Sequence, residues 1–188
     1  MNRKGIAKDI SYPYIKEVIN NIPDLRTKAM VCVQYGLAAR CGEIISYTHR
    51  DGVETPGLLK SNIVNQKGLY VCNIPNFKNS KRFFKKPYIS PKETFLFEPF
   101  KAWLDVCDEQ VFPLRISRYR TLVKNVLPEG LASHSLRHSR ATHLAEIFGF
   151  NAYQIQAFLG HARLTTSSVY VACDLSRSRK LLEDGLEN

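Results

Sequence analysis

The sequence lacks any apolar run approaching the ~20 residues that a membrane-spanning helix requires, and any shorter run shaped like a signal peptide. Its five cysteines are an odd number, and no two of them stand in C-x-x-C spacing. Neither a zinc ribbon nor a disulfide framework can be built from them, so reduced thiols in a cytoplasmic protein are the expectation. No internal repeat, low-complexity tract or linker divides the 188 residues, which argues against a solenoid and for one main domain. Acidic residues are also short: 17 Asp and Glu face 27 Lys and Arg, a net charge of +10. That surplus favours a polyanionic partner, nucleic acid ahead of an anionic membrane surface.

What is present is an ordinary globular composition, 44% apolar and 23% charged, long enough to bury a real core. Residues 1–10 read as a flexible lead-in. Ser11 can cap a first helix striped by Ile15, Val18, Ile19 and Ile22, with Pro13 in its first turn. Asp24 can cap a second, mostly apolar helix that ends about Gly36 to Ala39, and Arg40 to Ile45 begins a turn or short helix. The polar stretch from His49 to Pro56 reads as a loop. Asn62–Asn65 and Leu69–Ile74 read as hairpin strands about Lys67-Gly68, and Tyr88-Ile89 ends a third strand. Between them a basic loop, Asn76 to Lys86, carries Lys78, Lys81, Arg82, Lys85 and Lys86. Helical patterning resumes after Pro91, with Pro99 expected to start, kink or split that helix. Further helices are expected over 117–126, 135–148, 152–159, 165–172 and 176–184, with Gly149 and Gly160 as stops. The fold class is α+β, mainly α-helical, with a small three-stranded antiparallel sheet.

The chemistry concentrates between His134 and Tyr170. His134 and Arg137 are three apart and share a helical face, and His161 and Tyr170 follow. Guanidinium forks grip phosphate, imidazole moves protons near neutral pH, and a tyrosine hydroxyl can act as nucleophile. Each residue also has a plain structural reading. Arg40 and Glu43 can be an ion pair at a helix start, and Lys78 a solvated loop charge. His161 can open a loop, and Tyr170, between two valines, can sit at the edge of the core.

Order and spacing favour the chemical reading. Gly36-Leu37-Ala38-Ala39-Arg40-Cys41-Gly42-Glu43-Ile44 resembles the first arginine box of the tyrosine recombinase (phage integrase) family. His134-Ser135-Leu136-Arg137-His138-Ser139-Arg140-Ala141-Thr142-His143-Leu144 is similar to its second box. Ile155-Gln156-Ala157-Phe158-Leu159-Gly160-His161, then Thr165-Thr166 and Tyr170, resembles its third. The resemblance spans residues 11–175, which would form the family's catalytic-domain fold, and leaves 176–188 as a C-terminal helix or tail that could pack on a neighbouring protomer. Two departures are visible: Ala38-Ala39 stand where a glycine is usual, and Arg140 where an aromatic is common.

The resemblance implies a site-specific DNA recombinase or integrase that cleaves and rejoins DNA through a 3′-phosphotyrosyl intermediate. Tyr170 would be the nucleophile, Arg40 and Arg137 the grip on the scissile phosphate, and Lys78 the general acid, with Lys81 as the alternative donor. His134 would assist proton transfer, His161 would hydrogen-bond the phosphate, and Glu43 would brace the Arg40 turn. No metal and no cofactor is implied, because arginine and lysine supply the charge. Lys81, Lys85, Lys86, Arg118, Arg120 and Lys124 are expected to contact backbone phosphates. The expected partner is double-stranded DNA, bound by a homotetramer in the cytoplasm at the nucleoid, with a separate amino-terminal clamping domain as a further candidate partner. Two alternatives share the charge: a non-catalytic helix-turn-helix regulator built on 151–170, and a type IB topoisomerase-like nick-and-close enzyme.

Overall fold

The computed structural model describes residues 10–48, 52, 54–76, 83–161 and 165–168. Helix α1 (Tyr12–Asn20) buries Ile15 and Ile19, and Pro13 occupies its first turn, where no N–H is needed. Helix α2 (Leu25–Gly36) starts at Asp24, whose carboxylate accepts the Thr27 N–H at 2.8 Å. Every residue from Ala29 to Gly36 is buried, because α2 packs against α1 and against four later helices. A tight turn leads to α3 (Cys41–Ile44).

The middle of the chain is a set of small antiparallel ribbons. Strands β1 (Tyr47–Thr48) and β2 (Glu54–Thr55) pair across a stretch whose polarity suggests only a loop. After a 3₁₀ turn at Lys60–Asn62, β3 (Ile63–Gln66) and β4 (Leu69–Cys72) form the expected hairpin about Lys67-Gly68. The chain breaks at Asn73, whose N–H turns back to the Asn62 carbonyl at 2.8 Å. It continues as β5 (Ile74–Asn76), which pairs with β6 (Phe83–Lys85), while β7 (Tyr88–Ile89) completes a three-stranded sheet in the order β3-β4-β7. The basic segment therefore contains a strand in its second half, not only a loop.

Helix α4 (Thr94–Val106) runs through Pro99 without a break. Proline removes the N–H that would serve the Phe95 carbonyl. Here the thiol of Cys32 on α2 approaches that oxygen at 3.5 Å and takes the missing donor's place. Helices α5 (Ile116–Val126), α6 (Ser133–Glu146) and α7 (Ala152–Leu159) follow, then a single turn, α8 (Thr165–Ser168). The main core gathers α1, α2, α4 and α5 with the inner face of the sheet. A second apolar cluster joins Ala38, Ala141, Leu144, Ile155, Phe158 and Leu159, fastening α7 to α6 and to the turn after α2. Of the helix expected over 165–172, the first half is the α8 turn and the rest lies outside the described residues, as does the whole of 176–184.

Candidate active site

Three segments distant in sequence meet around Glu43. The first is the turn joining α2 to α3. Ala38 adopts φ 46°, a left-handed conformation that reverses the chain and turns its carbonyl inward. Arg40 then caps α3: its N–H reaches Glu43 Oε2 at 2.8 Å, and its Nη1 donates to Oε1 at 2.7 Å. Arg40 keeps 30% of its side chain exposed, whereas Glu43 keeps 6%. The carboxylate is thus an internal brace and the guanidinium reaches the surface.

The second segment is α6. Arg137 lies on its buried face and donates through Nη1 to the Ala38 carbonyl and through Nη2 to the Leu159 carbonyl, the latter at 3.0 Å. A guanidinium fork suits this bridge because two parallel donors fix its plane. Nη1 also lies 3.9 Å from Glu43 Oε2. One turn toward the N-terminus, His134 is exposed. One turn the other way, the guanidinium of Arg140 binds Glu93 in a bidentate pair at 2.7 and 2.6 Å. It also lies over the Tyr35 and Phe148 rings. Tyr35 Oη and His143 Nδ1 are 2.7 Å apart. These contacts hold α6 against α2, so the height of Arg137 over the Ala38 turn is fixed.

The third segment is the end of α7. Asn151 caps it, accepting the Gln154 N–H at 2.9 Å, and Gly160 ends it at φ 68°. Its left-handed turn lets the His161 N–H return to the Gln156 carbonyl at 3.0 Å. His161 then lines a shallow hollow of about 380 Å³ with Phe84, Lys85, Lys86, Tyr153 and Gly160.

A fourth contribution was not legible as such in the sequence. Lys85 is expected at the surface on a DNA phosphate, but its side chain has 0% exposure, and Nζ lies 2.7 Å from Glu43 Oε2. That expectation is corrected: strand alternation turns Lys85 and Pro87 inward and leaves Phe84 and Lys86 outside. The run of basic residues hides this two-residue period. Lys86, Arg118, Arg120 and Lys124 are exposed. Lys78, Lys81 and Tyr170 lie outside the described residues.

Glu43 therefore serves three cations, Arg40, Lys85 and Arg137, leaving the cluster a surplus of positive charge. Burial works against the Glu43 charge, yet Lys85, Arg137 and Arg40 together hold its carboxyl below the usual carboxylate range. Burial pushes Lys85 down to about 8; Glu43 pulls it upward, and Arg137 and Arg40 push it down again. A cationic patch floored by one carboxylate can bind an anion and stabilise growing negative charge. Among the described residues no group of three His, Cys, Asp or Glu side chains is placed to hold a metal ion.

The phage integrase family model matches residues 12–177. The tyrosine recombinase XerC of Nitrobacter winogradskyi is 30% identical over 162 residues, 81% of this chain and 47% of that protein. The tyrosine recombinase XerD of Corynebacterium glutamicum is 32% identical over 152 residues, 78% of this chain and 48% of that protein. The chain thus spans about half the length of these relatives. Among solved structures, the XerH site-specific recombinase bound to its difH substrate superposes with a TM-score of 0.69 at 19% identity, covering 100% of this chain and 57% of that one. The catalytic domain of bacteriophage HP1 integrase gives 0.60 at 16% identity, covering 93% of this chain and 95% of that one. At these identities the two structures establish the fold.

Proposed function

Because this chain belongs to the phage integrase family, we propose that it is the catalytic domain of a site-specific tyrosine recombinase acting on double-stranded DNA. The observation that carries the reading is the convergence of Arg40, Arg137 and the His161 turn, from three separate segments, on one positively charged cluster.

In this reading Arg40 and Arg137 take the non-bridging oxygens of the scissile phosphate and offset the charge of five-coordinate phosphorus. The Tyr170 hydroxyl attacks phosphorus in line, the bond to the 5′ oxygen breaks, and a 3′-phosphotyrosyl ester forms. His134 assists removal of the tyrosine proton, Lys78 or Lys81 protonates the leaving 5′ oxygen, and His161 hydrogen-bonds the phosphate. The ester keeps the bond energy of the phosphodiester, so a 5′ hydroxyl can reverse the step without ATP. Exposed Lys86, Arg118, Arg120 and Lys124 contribute salt-sensitive backbone contacts.

A homotetramer on DNA, a separate amino-terminal clamp, packing of 176–188 on a neighbouring protomer, and residence in the cytoplasm at the nucleoid belong to the same proposal. Among the described residues no helix is long and apolar enough to cross a membrane.

The test uses a nicked suicide duplex that traps the covalent product. A protein–DNA adduct that is lost in Tyr170→Phe supports the enzyme. Duplex binding with no adduct from a folded chain supports a binding module instead. Relaxation of supercoiled plasmid without site preference moves the assignment to a nick-and-close enzyme.

A further inference from the structure

Lys85 differs from the other basic residues around the site. It is fully buried on β6, and its Nζ lies 2.7 Å from Glu43 Oε2. Their opposite charges attract strongly at this distance, the coulombic pull being larger than that of the hydrogen bond between them. Glu43 already receives the N–H and Nη1 of Arg40 and lies 3.9 Å from Arg137 Nη1. A carboxylate so close to two guanidiniums draws on the same positive charge that a bound phosphate needs, and at low local dielectric that competition is strong.

We propose that Lys85 is a positioning residue of this site: its ammonium offsets Glu43 from the protein side, so the charge of Arg40 and Arg137 is directed at an anion rather than cancelled by the carboxylate. The assignment rests on the strand-transfer reading for the identity of that anion, a DNA phosphate, and on the Glu43 cluster for its mechanism.

The charged and titratable groups facing Lys85 are Glu43 on α3, Arg40 at its start, Arg137 on α6 and Cys72 on β4. His161 lines the same hollow. Burial pushes the Cys72 thiol up to about 12, so it stays neutral through the physiological range. Lys85 is the member of the cluster that changes charge near pH 8. Raising the pH through that value removes one positive charge and leaves Glu43 to the arginines, so anion binding weakens on the alkaline side.

The experiment measures binding of inorganic sulfate, whose charge is constant over this range, by thermal shift of the whole chain. Lys85→Met should bind roughly tenfold more weakly than wild type at pH 7, while Lys85→Arg keeps most of the affinity. The double variant Lys85→Met/Glu43→Gln should recover affinity over the single variant, because the carboxylate that Lys85 offsets is then gone. Wild-type binding should weaken between pH 7 and 9, and Lys85→Arg binding should not. Wild-type affinity in a folded Lys85→Met chain, or no recovery in the double variant, overturns the assignment. Adduct formation on the nicked duplex is then compared. A Lys85→Met adduct rate equal to wild type removes Lys85 from the site while leaving the recombinase reading intact. Sulfate results as expected with no adduct from wild type uphold the role of Lys85 and defeat that reading.

Discussion

Arg137 donates from its guanidinium to the main-chain oxygen of Ala38, across 99 positions of sequence. The bond ties the second box to the first through backbone, and its geometry depends on the left-handed turn at Ala38. Since Arg137 also holds the Leu159 carbonyl, one side chain sets the spacing of three segments.

Arg137→Lys should therefore fail although it keeps the charge. A single ammonium cannot span two carbonyls and a phosphate with fixed geometry, and adduct formation should fall by roughly 100-fold or more. Thermal unfolding should also fall, because at least one buried carbonyl loses its donor, so adducts are compared at a temperature where both chains are folded. Adduct formation within a few fold of wild type would show that charge alone is what Arg137 supplies.

At Ala38 two opposed effects are set against each other. Glycine relieves a left-handed strain of about 1 kcal/mol but loses a buried methyl worth about 0.8 kcal/mol, so Ala38→Gly should be nearly neutral. Ala38→Val adds a β-branched side chain to the same backbone at a buried position and should cost more than about 2 kcal/mol. Urea denaturation of the pair checks both. Equal loss in the two variants would mean that the turn is not what limits this position.

Lys85 makes stability depend on pH in a defined direction. Its folded value, about 8, lies below its ordinary 10.5. Between those values the unfolded chain keeps a proton that the folded chain has released, so the contribution of this group to stability rises with pH across that window. Below about pH 8 the cost of burying the ammonium is present in full. The stability of wild type minus that of Lys85→Met should increase from pH 7 to 10. A flat difference would place the Lys85 titration elsewhere.

The Arg140–Glu93 pair anchors α6 to the start of α4. Glu93→Ala leaves a buried guanidinium without its carboxylate and should cost about 3 kcal/mol. The variant should also lower sulfate affinity at the Arg137 cluster, because helix α6 carries both arginines. Loss of stability with unchanged sulfate binding would confine Arg140 to holding the fold.

Much of the local architecture was legible. Asp24 marks a helix start, Gly160 marks an end, and Lys67-Gly68 turns a hairpin, because each signal is carried by the residue that performs it; Ser11 stands at the start of α1 without a side-chain capping bond. Pro99 neither starts nor splits its helix; the thiol that meets the Phe95 carbonyl belongs to Cys32 on another helix and is invisible to a local reading. The β5–β6 ribbon was only half legible because successive lysines and phenylalanines mask which face is inward. Of the candidate site, Arg40, Glu43, Arg137 and His161 are brought to one region. Lys85 moved from the expected DNA-contacting surface into its floor.

The sequence alone determined the reactive residue types, their order along the chain and the excess of positive charge. The family membership follows from the same residues. Only the tertiary structure decided which cations share Glu43, since ion pairing depends on distance through space and burial sets its strength. A lysine in a basic run reads as a surface charge until strand alternation and the packing of α3 and α6 enclose it, and enclosure is what lowers its affinity for a proton.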